Sequence, residues 1–180
     1  DRSKTISDMF AELAETIPDH TAVVFKDRKY TYKELDELSN RLGKYIASQG
    51  IGREDVVSIL IPRCEYMAIA PMGVIKAGAA SQPLDPTYPR DRLMYMMEDS
   101  SAKLLIADRE LLPLVDGYKG PVLFTDQIWQ LEDRDVVLKK PQLHDLFILL
   151  YTSGSTGVPK GCMLEYGNIT AFCHWFKRYY

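Results

Sequence analysis

Near the start of the chain apolar residues recur at helical spacing. Further on they gather into short runs separated by polar stretches. Ile6, Phe10, Leu13 and Ile17 share one face of a helix predicted from Ser7 to Thr16, with Pro18 just past its end. Ala22-Val23-Val24-Phe25 reads as a strand, turned by Lys26-Asp27-Arg28-Lys29 into Tyr30-Thr31-Tyr32. Thr31-Tyr32-Lys33-Glu34 has the form of a capping box, in which the Thr31 hydroxyl accepts from the Glu34 amide and Glu34 reaches back. The helix it opens, predicted from Tyr32 to Gln49, carries Leu35, Leu38, Leu42 and Ile46 along one face and stops at Gly50.

Strand and helix patterns then alternate. Val56 to Ile61 is a near-continuous apolar run, as a strand covered on both faces would be. Glu65 to Lys76 has helical spacing, with Pro71 expected to kink it or mark a break. Ala79 to Leu84 fits neither pattern clearly. Pro89 suits the first position of a helix through Asp99, where its missing N–H is not needed. Leu104 to Ile106, Val122 to Phe124 and Leu146 to Tyr151 read as further buried strands, while residues 108–121 and 126–143 are polar connections with no assigned element. The pattern predicts an α/β domain with a mostly parallel sheet flanked by helices. It shows no internal repeat and no low-complexity tract.

Bulk properties narrow the partners. The chain has 180 residues, enough for one core of ordinary size, and its 46% hydrophobic and 26% charged residues are the balance of a folded soluble protein. A formal net charge of -3 gives no basic field to gather nucleic acid. No apolar run approaches the roughly 20 residues that span a bilayer, so no membrane association is expected. The polar start carries no secretory segment, and Cys64, Cys162 and Cys173 lack metal-like spacing. Buried or idle reduced thiols and a cytoplasmic location are expected. His20, His144 and His174 are scattered, which predicts solvated or structural roles and no metal site. The chain has no initiator Met, and Trp175 to Tyr180 stops inside an aromatic amphipathic stretch without a cap. A piece of a longer chain is expected, with Trp175, Tyr179 and Tyr180 as core or interface aromatics.

The chemistry concentrates after the run Leu146 to Tyr151. Thr152-Ser153-Gly154-Ser155-Thr156-Gly157-Val158-Pro159-Lys160-Gly161 packs glycines, hydroxyls and one lysine into a single loop. Glycines permit positive φ and leave no Cβ in the way, so backbone N–H groups can close around oxygens. Hydroxyls add donors and Lys160 a mobile point charge. Pro159 argues against a helix starting there. The loop is not a Walker sequence, because Lys160 follows a proline and precedes Gly161. A flexible Ser/Gly linker is the competing reading. Linkers do not usually hang from a buried strand and end in Pro-Lys-Gly, so the composition favours an anion-binding loop.

Tyr151 to Gly161 closely resembles the phosphate-loop signature of the adenylate-forming superfamily, which includes acyl-CoA synthetases, luciferases and the adenylation domains of nonribosomal peptide synthetases. Thr31-Tyr32-Lys33-Glu34-Leu35 resembles the first core motif of adenylation domains. Lys76-Ala77-Gly78-Ala79-Ala80 followed by Pro83-Leu84-Asp85-Pro86-Thr87-Tyr88-Pro89 resembles the second, in a form similar to amino-acid-activating members. Helix capping already accounts for Thr31 and Glu34, and a turn before a helix for Asp85-Pro86 and Pro89. The resemblance runs from Ser7 to the end and implies that residues 1–180 are the N-terminal portion of the large adenylation-domain fold.

In that family a carboxylic acid attacks the α-phosphate of ATP, giving an acyl-adenylate and pyrophosphate. The acyl group then passes to a thiol, commonly the phosphopantetheine of a carrier protein. The resemblance implies ATP as cosubstrate, a small-molecule acid that is an amino acid, and a peptidyl carrier protein as partner. It implies that Thr152, Ser153, Gly154, Ser155, Thr156 and Gly157 hold the β and γ phosphates with Lys160, which also stabilises the departing pyrophosphate. The family's adenine, ribose and acyl contacts, its Mg2+ carboxylate and the lysine of its mobile C-terminal domain would lie downstream, so this piece alone would be inactive. Alternatives are a D-alanine–carrier protein ligase, an acyl-CoA synthetase, or a non-catalytic adenylation-like module. Two positions depart from the pattern. Tyr166 stands where the family often has histidine near the acyl pocket, which puts that contact in doubt, and Ser81-Gln82 replaces the usual aromatic-aliphatic pair before Pro83.

Overall fold

The computed structural model describes residues 4–153 and 158–179. Its helices are α1 (Ile6–Thr16), α2 (Tyr32–Ser48), α3 (Tyr66–Lys76), α4 (Arg90–Asp99) and α5 (Tyr166–Tyr179). Its strands are β1 (Thr21–Phe25), β2 (Arg28–Thr31), β3 (Val56–Leu60), β4 (Ala80–Pro83), β5 (Leu104–Ala107), β6 (Val122–Phe124), β7 (Leu146–Thr152) and β8 (Lys160–Glu165). β1 and β2 form an antiparallel ribbon, and the other strands form a six-stranded sheet in the order β6-β5-β3-β4-β7-β8. Every pairing in that sheet is parallel except β7 with β8. The mostly parallel α/β architecture expected from the pattern is the one observed.

β3 shows why the runs are apolar throughout. Its odd positions, Val57 and Ile59, pack with Leu38, Leu42 and Ile46 of α2 and Ile69 and Val74 of α3. Leu60 points the other way, into a cluster with Leu93, Met96 and Met97 of α4. β5 repeats the division, with Leu104 and Ile106 on the α2/α3 side and Leu105 and Ala107 on the α4 side. Alternation of Cβ direction puts every residue of these strands against a helix layer, as in parallel sheets generally.

The helices start where their caps dictate. The Thr31 hydroxyl accepts from the Glu34 amide at 3.2 Å, and the Glu34 carboxylate accepts from the Thr31 amide at 2.8 Å, the capping box expected for α2. Thr5 and Asp8 form a second capping box on α1. On α1 only Phe10 is buried and Leu13 is exposed, so its inward stripe is narrower than the spacing predicts. Of the kink or break expected at Pro71, the break does not occur: α3 continues through that residue. The helical acceptor that Pro71 fails to serve is the carbonyl of Met67, a residue on the exposed side where water can take over. Pro89 caps α4 rather than opening it. The ambiguous Ala79–Leu84 segment contains β4, and the two unassigned connections contain 3-10 turns, Arg109–Val115 and Thr125–Gln130.

α2 and α3 cross so closely that two glycines face each other. A Cβ on Gly43 would sit 3.0 Å from Lys76 Cβ and 3.1 Å from the Gly73 carbonyl, and one on Gly73 would overlap the carbons of Leu42. At the same crossing Lys76 is buried, its ammonium 2.5 Å from Asp36 Oδ1 and 2.8 Å from Asn40 Oδ1. Burial pushes that ammonium below its ordinary pKa, and Asp36 opposes the shift. On the other side of α3 the buried Glu65 accepts from Arg28 and, at 3.4 Å, from the Tyr30 hydroxyl, which ties the β1–β2 ribbon to the core.

Two outcomes follow for stability. Gly73→Ala gains at most about 1 kcal/mol of helix propensity. It forces Leu42, whose own Cβ is among the contacted atoms, out of a fully buried position. A net loss of about 1–3 kcal/mol is expected, read as a lowered denaturation midpoint; an unchanged midpoint would contradict the close crossing. Asp36→Ala leaves the Lys76 ammonium without its counter-charge. It should cost about 2–4 kcal/mol, somewhat below the cost of breaking a fully buried pair because Asp36 is 24% exposed. Lys76→Met, which removes the charge and keeps the volume, should cost less than about 1 kcal/mol. Equal losses in the two variants would mean that the pair itself, not desolvation, is what matters.

Candidate functional site

The glycine-rich segment lies in sequence between the two strands of an antiparallel pair, β7 and β8. β7 lies parallel to β4, so its last residue, Thr152, stands at the carboxyl edge of the sheet. This is the edge where open α/β sheets bind their ligands. The ladder with β8 pairs Leu150 with Cys162, Tyr151 with Gly161 and Thr152 with Lys160. Residues directly opposite each other present their side chains to one face, so Thr152 and Lys160 project together from the neck of the turn. Both are exposed, as is Ser153. Gly154, Ser155, Thr156 and Gly157 lie outside the described residues. Lys160 is thus a strand residue at a fixed register, not a member of the turn.

The opposite face of the neck is anchored. Tyr151 packs into the α4 cluster, and its hydroxyl donates to Asp99 Oδ2 at 2.6 Å. Tyr95 donates to the other oxygen of Asp99 at 3.4 Å. Burial first, and then the bond and the charge of Asp99, push the Tyr151 phenol well above its ordinary pKa, so it stays a donor. Gly161 has a packing reason: a Cβ there would lie 3.1 Å from Leu149 Cδ1 and 3.4 Å from Tyr151 Cζ.

The foot of the hairpin is fixed by buried polar groups. Asp145 is 2% exposed and accepts from the Gln142 amide at 2.7 Å. Arg53 Nη2 lies 2.5 Å from its other oxygen but off the axis of a hydrogen bond, so that contact is charge pairing. Tyr166, which stands where the family often has histidine near the acyl pocket, is 0% exposed. Its hydroxyl donates to the carbonyls of Ile75 at 3.2 Å and Ala79 at 3.4 Å, and its ring meets Phe147 edge-on at 5.2 Å. The side chain is consumed in joining α5 to α3 and to the residue before β4, and has no surface to offer a substrate.

The remaining motif residues are structural in this geometry. Asp85 Oδ1 accepts from the Thr87 amide at 2.9 Å and the Thr87 hydroxyl at 2.7 Å, the turn expected before α4. Gln82 is fully buried and links three elements. It accepts from Ser58 of β3 at 2.5 Å and from Ser100 just past α4 at 3.1 Å, and it donates to the Met96 carbonyl of α4 at 2.9 Å. Leu146 to Tyr151 is a strand, but only Leu146 and Leu149 are buried, because β8 and one open face replace the expected second layer among the described residues. Trp175 and Tyr179 are half exposed and stack with each other at 5.6 Å rather than entering the core. Cys162 is a free, exposed thiol, and Cys64 and Cys173 are partly buried. Asp99 escaped the sequence reading, since a carboxylate at a helix end carries no motif.

A cleft of about 640 Å3 lies elsewhere, lined by Arg53, Asp55, Gly78, Lys139 and Asp145 at the amino ends of the strands. It is at the wrong edge to serve the loop. Among the described residues no group of three or more His, Cys, Asp or Glu could hold a metal ion, and no helix is long and apolar enough to cross a membrane.

Known proteins resemble this chain in sequence and fold. Residues 10–180 match the AMP-binding enzyme family. Gramicidin S synthase 2 of Brevibacillus brevis is 38% identical over 171 residues, which is 95% of this chain and 4% of the synthase. The N-terminal subdomain of Klebsiella oxytoca NpsA, solved with 3-hydroxyanthranilyl-AMSN, aligns with a TM-score of 0.80 at 29% identity over 91% of this chain and 42% of its own. NpsA–ThdA, an artificially fused adenylation–PCP di-domain NRPS from the same organism, aligns with a TM-score of 0.84 at 28% identity, covering 93% of this chain and 34% of its own. The fold, the order of its motifs and the family match over nearly the whole length agree, and the chain belongs to the AMP-binding enzyme family.

Proposed function

We propose that this chain is the N-terminal portion of an adenylation domain. The complete domain would use ATP to activate a carboxylic acid, an amino acid, as its acyl-adenylate. The acyl group would then pass to the phosphopantetheine thiol of a peptidyl carrier protein. The observation that carries the reading is the opposition of Thr152 and Lys160 across the neck of a glycine- and hydroxyl-rich turn at the carboxyl edge of a parallel sheet. Thr152, Ser153, Gly154, Ser155, Thr156 and Gly157 would surround the β and γ phosphates. Lys160 would meet the charge that grows on pyrophosphate as the substrate carboxylate attacks the α-phosphate. Such donors act by preorganised electrostatics, without taking or giving a proton. Mg2+ would be carried by the nucleotide phosphates and a carboxylate beyond residue 180. Free thiols at Cys64, Cys162 and Cys173 fit the reducing cytoplasm. The carrier-protein partner is supported by the adenylation–PCP pairing in the NpsA–ThdA relative. The acyl group named for the NpsA ligand, 3-hydroxyanthranilyl, supports an aromatic acid as the second substrate class.

The test is ATP–pyrophosphate exchange by the parent protein with a panel of amino and aromatic acids. Removing one donor of a preorganised anion site costs about 2–4 kcal/mol in the transition state, a fall of about 30- to 1000-fold in rate. Lys160→Ala and Thr156→Ala should each slow exchange by that order. Lys160 is exposed, so Lys160→Ala should leave the melting temperature nearly unchanged. A folded double variant exchanging at the parental rate would make the loop a linker. Residues 1–180 alone should form no acyl-adenylate above a protein-free control, because one wall of a site cannot orient both substrates. Adenylate formation by the isolated chain would place the whole site within it.

A further inference from the structure

α4 ends in Glu98 and Asp99, and its last turn contains no basic residue. Carboxylates at a helix C-terminus oppose the helix dipole, so local helix energetics disfavour Asp99 where it stands. Asp99 nevertheless accepts the shortest side-chain hydrogen bond that reaches the hairpin neck, 2.6 Å from the Tyr151 hydroxyl. Tyr151 precedes Thr152 directly and is the ladder partner of Gly161, the neighbour of Lys160. Its ring lies where a Cβ on Gly161 would touch it. The far end of the anchor is itself fixed. Leu93, Met96 and Met97 are buried against the sheet. Gln82 of β4 binds the Met96 carbonyl and Ser100, on either side of Asp99 in sequence. A continuous path therefore runs from the sheet centre through Gln82 and the end of α4 to Asp99, Tyr151 and both strands of the neck.

We propose that Asp99 is a positioning residue for the neck of the β7–β8 hairpin, holding the Tyr151 hydroxyl so that Thr152 and Lys160 leave the neck aimed at a bound polyphosphate. The consequence for catalysis rests on the function proposed above; the anchoring does not. Misplacing a site by 1 Å can cost about 100-fold in rate. Loss of a single anchor that leaves the ladder in place is expected to cost less.

The experiment uses the parent protein with Asp99→Ala, Asp99→Asn, Tyr151→Phe, the double variant Asp99→Ala/Tyr151→Phe, and Glu98→Ala as a control for charge on α4. Two quantities are measured: deuterium uptake by peptides covering 146–153 and 158–165, and KM for ATP and for the acid in pyrophosphate exchange. Asp99→Ala and Tyr151→Phe should both speed amide exchange at the neck and raise KM for ATP about 3- to 30-fold, with KM for the acid unchanged. The double variant should be no worse than either single one, because both remove the same bond. Asp99→Asn should recover most of the effect, since its carboxamide oxygen still accepts. Glu98→Ala should behave as the parent. Parental deuterium uptake at the neck in both single variants overturns the anchor, as does an equal rise in KM for both substrates. If the unmodified protein exchanges pyrophosphate with no acid, the proposed reaction falls. The uptake measurement then still decides the anchor: faster exchange in the variants upholds it and parental rates reject it.

Discussion

The structure depends on the complete burial of β3. Each of its residues is buried, and Val57, Ser58 and Leu60 are fully so. A strand with no solvent face must be covered on both sides, which demands α2 and α3 on one side and α4 on the other. It must also be paired along both edges, and β4 and β5 do so in parallel. Parallel pairing requires a crossover helix between successive strands, which α3 and α4 supply. The carboxyl ends of the strands are thereby gathered at one edge. From that edge the β7–β8 turn emerges beside the other strand ends, on a sheet that cannot move without opening the core.

Several buried polar groups join elements that apolar packing alone would let slide. Lys76 with Asp36 and Asn40 fixes α3 against α2 at the glycine crossing. Gln82 fixes α4 against the sheet, and Glu65 holds the β1–β2 ribbon. Tyr166 pins the start of α5 to two carbonyls across the core. Lys76 belongs to a motif that resembles one of adenylation domains, as do Thr31, Glu34 and Asp85. Their side chains are spent on capping, turns and helix crossings, so those motifs mark the scaffold that aims the loop.

The hairpin combines rigidity and access. One face of its neck is held by Tyr151 through Asp99, while the other presents Thr152 and Lys160 to solvent. An antiparallel partner at the margin of the sheet makes this possible. β8 is exposed along most of its length and supplies register without burying the side chains it positions. A parallel strand in its place would have required a helical crossover over the site.

Much of this was legible in the residues. The apolar runs marked β3, β5, β6 and β7, and for β3 and β5 the reason is burial on both faces. Spacing and capping boxes marked α2, because helix ends must satisfy their own N–H groups. The composition of residues 152–161 identified the loop and the family it resembles. Other features were decided by tertiary structure. β4 reads Ala-Ser-Gln-Pro, with poor strand propensity, and is a strand because β3 and β7 pair with its backbone. α3 continues through Pro71 because packing outweighs one lost hydrogen bond. β8 has no apolar alternation, and only its ladder with β7 makes it a strand and turns Lys160 toward Thr152. Tyr166 could be placed beside a substrate from sequence alone, and only the fold shows its hydroxyl already bound. The partnership of Asp99 with Tyr151 spans a separation of 52 residues. No local pattern encodes a contact at that distance, because it exists only once α4 and β7 have docked on the same sheet.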